Sequence, residues 1–488
     1  MPAPDSSALP RRTSPAHTDD PAVDEATTLA GLDSRRSISR ELNPSAIDDE
    51  TSTGGRALNR KQHPLFADKV RGLRLRAIRF TASWFSVVMG TGIVATLLFD
   101  LPWTSTHPAF RGIAAGFLIL GILLFIAFAS MTILRYTLYP RIFRVMIQHE
   151  THSLFLGCIP MGFITLVSNT ASIGHEYGLA TLDACLVLWW IALAMSILTS
   201  FGVPYVMFTK HNHTAEALTA AWLLPIVPTI TVAASATVHC KLLLLENRLD
   251  YCLVLFVASY ILNGVGLLLA SGIMVLYFQR LTLHHLPPRE VIVSSFLPVG
   301  AVGQGGYALI ECGRIAVQLF PKLAQHKPEL AGLGLPMLGA GVVSGLMLWG
   351  LGIWFAFLAI VSIVTQFTRG SSEMATLAAF NMGWWAFTFP LGSLTLLTFS
   401  LAEVFDSMFF KVVSTILTLT VFCLWIVVFI PTAVGFLRGT LFPAPCLQAL
   451  PKEYVEKVGT SEKGRATKAV VTAEEREREE VAKTAGVA

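Results

Sequence analysis

Three observations predict an all-α integral membrane protein of ten transmembrane helices arranged as five helical hairpins. Of the 488 residues, 53% are hydrophobic and only 14% charged. The apolar residues come in long runs, matching the roughly 20 residues a helix needs to cross a hydrocarbon core. Five of those runs carry a glycine or proline break near their middle, and the runs between them mostly do not. The breaks read Met89-Gly90-Thr91-Gly92, Pro160-Met161-Gly162, Pro225-Ile226-Val227-Pro228, Pro298-Val299-Gly300 and Pro390-Leu391-Gly392. From Gly90 to Gly162 is 72 residues, to Val227 another 65, to Gly300 another 73 and to Gly392 another 92. One broken and one continuous helix fit each period.

Taken in order, residues 1–77 are rich in Ser, Pro, Asp and Arg without apolar periodicity, and predict a disordered cytosolic tail. No cleavable signal peptide is expected; the first apolar run, from about Ile78, serves as its own insertion signal. The membrane domain, 78–438, divides into spans at 78–100, 111–134, 153–173, 179–208, 219–241, 250–278, 291–316, 336–367, 380–405 and 409–438. Residues 439–488 form a polar cytosolic C-terminal tail whose Glu474–Glu480 stretch reads as a solvated charge run. Lys and Arg tie at seven on each side in the loops. Arg56, Arg60, Lys61, Lys69, Arg71, Arg74, Arg76 and Arg79 ahead of the first span, with Arg438 after the last, place both termini in the cytosol.

A mid-helix proline removes a backbone hydrogen bond. In lipid that loss is tolerated only where protein or a watery cavity satisfies the freed groups. The broken odd-numbered spans are therefore expected as an inner ring inside an outer layer of even-numbered spans. The inner spans carry many Ser and Thr and essentially no charge at their centres. Their hydroxyls and kink-freed backbone groups are expected to line a central pore that stabilises a small ion without trapping it. Glu311 and Arg314, three apart near a span end, read first as a structural pair. Arg314 is also a candidate for attracting anions at the pore mouth.

Other classes find little support. A net charge of +4 without a basic, aromatic-interleaved stripe argues against nucleic acid. The seven cysteines include no CxxC and no closely spaced set, so neither a disulfide framework nor a metal site is expected. Cys446 is at most an acylation candidate. His149-Glu150-Thr151-His152 lacks zinc-protease spacing, and His211/His213 and His284/His285 read as satisfied loop histidines. There is no Walker A motif, no cofactor is implied, and a membrane enzyme's paired carboxylates are missing.

The residues Trp84–Ile93, Ile159-Pro160-Met161-Gly162, Gly303-Gln304-Gly305 and Trp384–Gly392 resemble the tellurite-resistance/dicarboxylate transporter family. That family includes plant guard-cell slow anion channels, fungal malate permeases and fungal sulfite efflux pumps. The likeness covers about 78–438, and Phe80–Ser86 and Leu297–Gly305 look most like the sulfite pumps. The resemblance implies five hairpins around a pore in each subunit, a homotrimer, and a pore-plugging phenylalanine on the ninth helix. Here that is Phe389, or else Phe387, with Phe389 preferred because it sits just before the kink and four residues from Trp385. It also points to sulfite or hydrogensulfite export across the plasma membrane, and the freed backbone groups and hydroxyls near Gly90, Thr91, Gly162, Gly300, Gln304 and Gly392 are expected to replace part of the ion's hydration. Gln304 is the first choice for a neutral donor to the anion. The nearest rival is a malate carrier, which the lack of central cationic clamps disfavours.

Overall fold

The computed structural model describes residues 76–103, 107–175, 178–325, 327–368 and 380–442. The two expected tails lie outside these residues except at their membrane-proximal ends, as do Cys446 and the acidic-basic run after it.

Ten long helices are described, and they pair as hairpins. They are α1 (Phe85–Phe99) with α2 (Pro108–Leu138), and α4 (Cys158–Gly174) with α5 (Leu179–Lys210). Next come α6 (Val227–Leu245) with α7 (Leu249–His284), then α8 (Leu297–Leu323) with α9 (Gly334–Thr368). Last is α10 (Thr388–Phe405) with α11 (Met408–Arg438), and a short helix, α3 (Pro140–Ile147), follows the first hairpin. Each inner helix packs on its own outer partner. The inner five also touch in sequence, α1 on α4, α4 on α6, α6 on α8, α8 on α10 and α10 back on α1, which closes a ring.

Burial separates the two layers as the break pattern predicts. Inner helices are buried nearly all round; α10 buries every residue from Thr388 to Ala402. Outer helices bury a single stripe. On α5 it runs Leu182, Cys185, Leu186, Trp189, Ala192, Ser196, Ser200, Val203 and Met207, the three-and-four spacing of one helix face. The opposite face shows Leu198 and Phe208 at 75% and 83% exposure. An exposed face that apolar belongs against hydrocarbon chains. Nine of the described helices are long and apolar enough to cross a membrane. The tenth, α8, falls short because it carries Glu311, Arg314, Lys322 and five glycines, yet it is buried against four neighbours.

The breaks differ from expectation. The prolines do not interrupt helices midway. A 3-10 turn precedes every inner helix, at Ala82–Trp84, Leu154–Gly157, Ala220–Leu223, Ile292–Phe296 and Met382–Phe387. The α-helix restarts at the proline: Pro160, Pro228, Pro298 and Pro390 fall in the second or third position of their helices. There a missing N–H costs nothing, because first-turn N–H groups have no intrahelical partner. Gly90 and Gly92 are not breaks either, since α1 runs straight through them. They allow close packing: a Cβ on Gly90 would lie 2.7 Å from the Trp385 ring, and one on Gly92 2.8 Å from Thr165.

Chain entry and exit meet. Arg76 Nη2 donates to the Leu437 carbonyl at 3.0 Å, so the chain enters and leaves the bundle on one side. Cys158, Cys185, Cys240, Cys252 and Cys312 are buried as small apolar residues, and Cys423 is exposed on α11.

Candidate functional site

A cavity of about 560 Å³ opens on the side where the inner α-helices begin. All five inner helices reach it, through Ser86 and Met89, Cys158 and Met161, Val227, Leu297 and Gly300, and Phe389 and Pro390. No inner-helix residue further along than Met89, Met161, Val227, Gly300 and Pro390 lines it. Beyond that level Ile93, Leu394 and Leu397 are buried hydrophobic residues. The innermost lining residues are thus Met89, Met161, Val227, Gly300, Phe389 and Pro390, with buried apolar side chains beyond them. At the rim stand Glu150, His213, Glu216, Arg280 and Glu290. Arg280 is 6% exposed and committed to backbone, donating to the carbonyls of Glu216 and His285. Burial holds the nearby imidazoles of His149 and His213 below their usual range and pushes His152 down to about 4. His211 and His213 bond each other, and His211 also bonds the Ile147 carbonyl.

Of the two candidate phenylalanines, Phe389 lines the cavity and is 3% exposed. Phe387 turns away, packing on Phe296 with ring centroids 5.1 Å apart and on Trp384 at 6.0 Å. Trp385 lines the cavity too, but its Nε1 donates to Thr432 on α11, and its ring fills the space left by Gly90.

The polar groups expected along the ring are mostly committed. Thr91 donates to the Val87 carbonyl and accepts from Trp425 Nε1 of α11, so it ties the first inner helix to its outer neighbour. Thr165, Thr231, Ser393, Thr395 and Thr398 likewise donate to carbonyls four residues back. The N–H groups where the 3-10 turns meet the α-helices also donate back into their own turns, at Phe85, Leu224, Leu297 and Thr388. Free hydroxyl and backbone donors were expected here. The chain satisfies them locally because in a buried, water-poor layer an unmade hydrogen bond is costly. Gly162 packs on Val88, Gly300 on Pro390 and Gly392 on Ile93. Gln304 is 4% exposed, lies one turn past the cavity, and donates through Nε2 to Ser393 Oγ at 3.1 Å.

The opposite end of the ring is charged. Glu311, 1% exposed, accepts from Lys241 Nζ at 2.8 Å, Arg314 Nη1 at 3.0 Å and Ser400 Oγ at 2.6 Å. Arg314 also pairs with Glu403. Helices α6, α8 and α10 are thereby joined by one network. Arg314 and Glu311 do form the pair their spacing suggests. Sequence reasoning missed Lys241, Ser400 and Glu403, which lie 70, 89 and 92 residues from Glu311 with no local signal to connect them. No group of three or more metal-capable side chains occurs among the described residues.

The family model of the voltage-dependent anion channel matches residues 79–433. The chain is 39% identical over 364 residues to a sulfite efflux pump of Arthroderma benhamiae, covering 74% of this chain and 92% of that protein. A sulfite efflux pump of Candida albicans is 30% identical over 332 residues, 65% of each chain. A malic acid transport protein of Schizosaccharomyces pombe is 26% identical over 396 residues, 79% of this chain and 85% of that protein.

Proposed function

The chain belongs to the voltage-dependent anion channel family, and from that premise we propose that it exports sulfite or hydrogensulfite through the axis of the five-helix ring. The multi-pass bundle is placed in the plasma membrane. The observation that carries the reading is the cavity: every inner helix turns its N-terminal end toward it, and Phe389 is among its innermost lining residues. Helix N-termini present the positive ends of their dipoles, so five together favour an anion without a fixed cation. Between the cavity and the layer of Lys241 and Glu311 the inner helices carry no Lys, Arg, Asp or Glu, so nothing holds an ion in transit. Phe389 is the constriction, Gly300 lines the cavity beside it, Gly90, Gly162, Gln304 and Gly392 pack the inner helices around it, and Thr91 ties that layer to α11. Arg314, at the far mouth beside Lys241, meets the departing ion.

The basic residues before the first helix put Arg76 and Leu437, and with them the cavity mouth, on the cytosolic side. An exporter needs its wide mouth there. The identity to proteins named sulfite efflux pumps supports sulfite over malate. The apolar outer faces of α2, α5, α7, α9 and α11 suit lipid and the neighbours of a homotrimer alike.

Purified protein in liposomes, given sulfite, malate, nitrate and chloride gradients in turn, tests the reading. Sulfite is expected to move faster than malate. Malate flux without sulfite flux would replace this reading with a dicarboxylate carrier.

A further inference from the structure

Ser393 has one hydroxyl proton, and it is committed to the Phe389 carbonyl at 2.9 Å. Its oxygen must therefore accept from Gln304, whose Nε2 lies 3.1 Å away, and this orients the amide. The result is a one-way chain from Gln304 on α8, through Ser393, to the backbone of Phe389 on α10. Both polar side chains are shut away from water, with Ser393 at 0% and Gln304 at 4% exposure.

Backbone packing clamps the same two helices at the same level. A Cβ on Gly303 would lie 2.6 Å from the Leu394 amide nitrogen, and one on Gly300 3.3 Å from Pro390 Cα. Gly300 and Gly303 thus let α8 lie directly against the first turns of α10, on either side of Ser393. Apart from the charged network around Glu311, two other side-chain pairs bridge inner helices among the described residues, Thr96 to Asn169 and Ser168 to Ser235. Neither ends on the backbone of a cavity-lining residue; their remaining bonds reach Gly92 and Ile164.

We infer that Gln304 and Ser393 are positioning residues that hold Phe389 in the shut position, through the Gln304–Ser393–Phe389 hydrogen-bond chain. The inference rests on the reading of Phe389 as the constriction. Gln304 thereby acts on the ion indirectly, through α10, and not as a ligand.

The test uses full-length protein in liposomes and basal chloride and sulfite efflux per folded protein, checked by size-exclusion chromatography. Gln304→Met keeps side-chain volume without the amide, and Ser393→Ala removes the relay hydroxyl. Each is expected to raise basal efflux about two- to tenfold, the span that one lost hydrogen bond corresponds to. Their ratio of chloride to sulfite flux stays at the wild-type value. In a Phe389→Ala background neither adds a further increase, whereas loss of general packing would lower flux in both backgrounds. If one variant fails to fold, the other carries the test. Unchanged or reduced efflux in the Phe389 protein overturns the inference, as does an equal further increase in the Phe389→Ala protein. A changed anion ratio in Gln304→Met overturns it in favour of direct contact. A silent Phe389→Ala alone overturns the constriction reading beneath it.

Discussion

At the end where the inner helices begin, the ring is open and apolar at its base, and the one cation at its rim among the described residues, Arg280, is bound to backbone. At the other end Lys241, Glu311, Arg314, Ser400 and Glu403 are bonded together. The same five helices build both. Their N-terminal ends supply partial positive charge through the backbone, so no side-chain cation is needed there. Their C-terminal ends carry the opposite partial charge, and two cations sit beside the buried Glu311. Neutral side chains favour passage at the first end; a bonded network favours holding helices together at the second.

The contrast breaks most visibly at the charged end. Glu311→Ala leaves Lys241 and Arg314 without their buried partner and is expected to destabilise the bundle by about 3 kcal/mol, the low end for a broken buried pair because both cations reach water. Thermal unfolding in detergent measures it; a midpoint within error of the parent would mean the network holds nothing together. At the open end the expected change is in flux. Phe389→Ala should raise basal efflux about tenfold, equivalent to about 1.4 kcal/mol, while Phe387→Ala leaves it unchanged. A reversal of these two results moves the constriction to Phe387.

Thr91→Val sharpens the contrast further, because Thr91 lies in the ring yet bonds outward to Trp425. It should cost about 1 kcal/mol in stability with little effect on anion preference. An altered preference would return Thr91 to the pathway. The smallest effect concerns pH. His152 binds its proton only at about 4, against 6.5 for the free side chain. Between those values the unfolded chain binds more protons than the folded one, so stability falls as pH falls through that window. Unfolding midpoints at pH 7 and pH 5 should differ in that direction, and His152→Gln should shrink the difference.

Much of this architecture is legible in the residues. Runs of apolar side chains locate the long helices, although α7 and α8 run past their expected ends at 278 and 316, to His284 and Leu323. The recurring proline and glycine motifs mark the starts of the inner helices, although the outer helices carry Pro204, Pro431 and exposed glycines of their own. What the pattern hides is direction. A proline looks the same in the middle of a span whether it kinks a helix or starts one after a 3-10 turn. Composition hides the hydroxyls' partners as well: Thr395 on α10 reads as a lining group until its bond to the Leu391 carbonyl is seen. The charge network is illegible for a third reason, since its members come from three hairpins. Phe389 stands out in the sequence only through its likeness to a family motif, and its place at the cavity base comes from where α10 restarts.

The 3-10 turns have a mechanical consequence. A 3-10 segment rises about 2.0 Å per residue against about 1.5 Å in an α-helix. The five turns are three to six residues long, and the longest, Met382–Phe387, feeds directly into Thr388 and Phe389. Rewound as α-helix, those six residues would shorten by about 3 Å and swing the first turn of α10 around the helix axis. The stretch ahead of Phe389 is thus a store of axial travel, the largest of the five, coupled to the side chain proposed to close the cavity. Paired spin labels on Asn381 and Phe405 would read that travel as a change in separation between the resting and conducting protein.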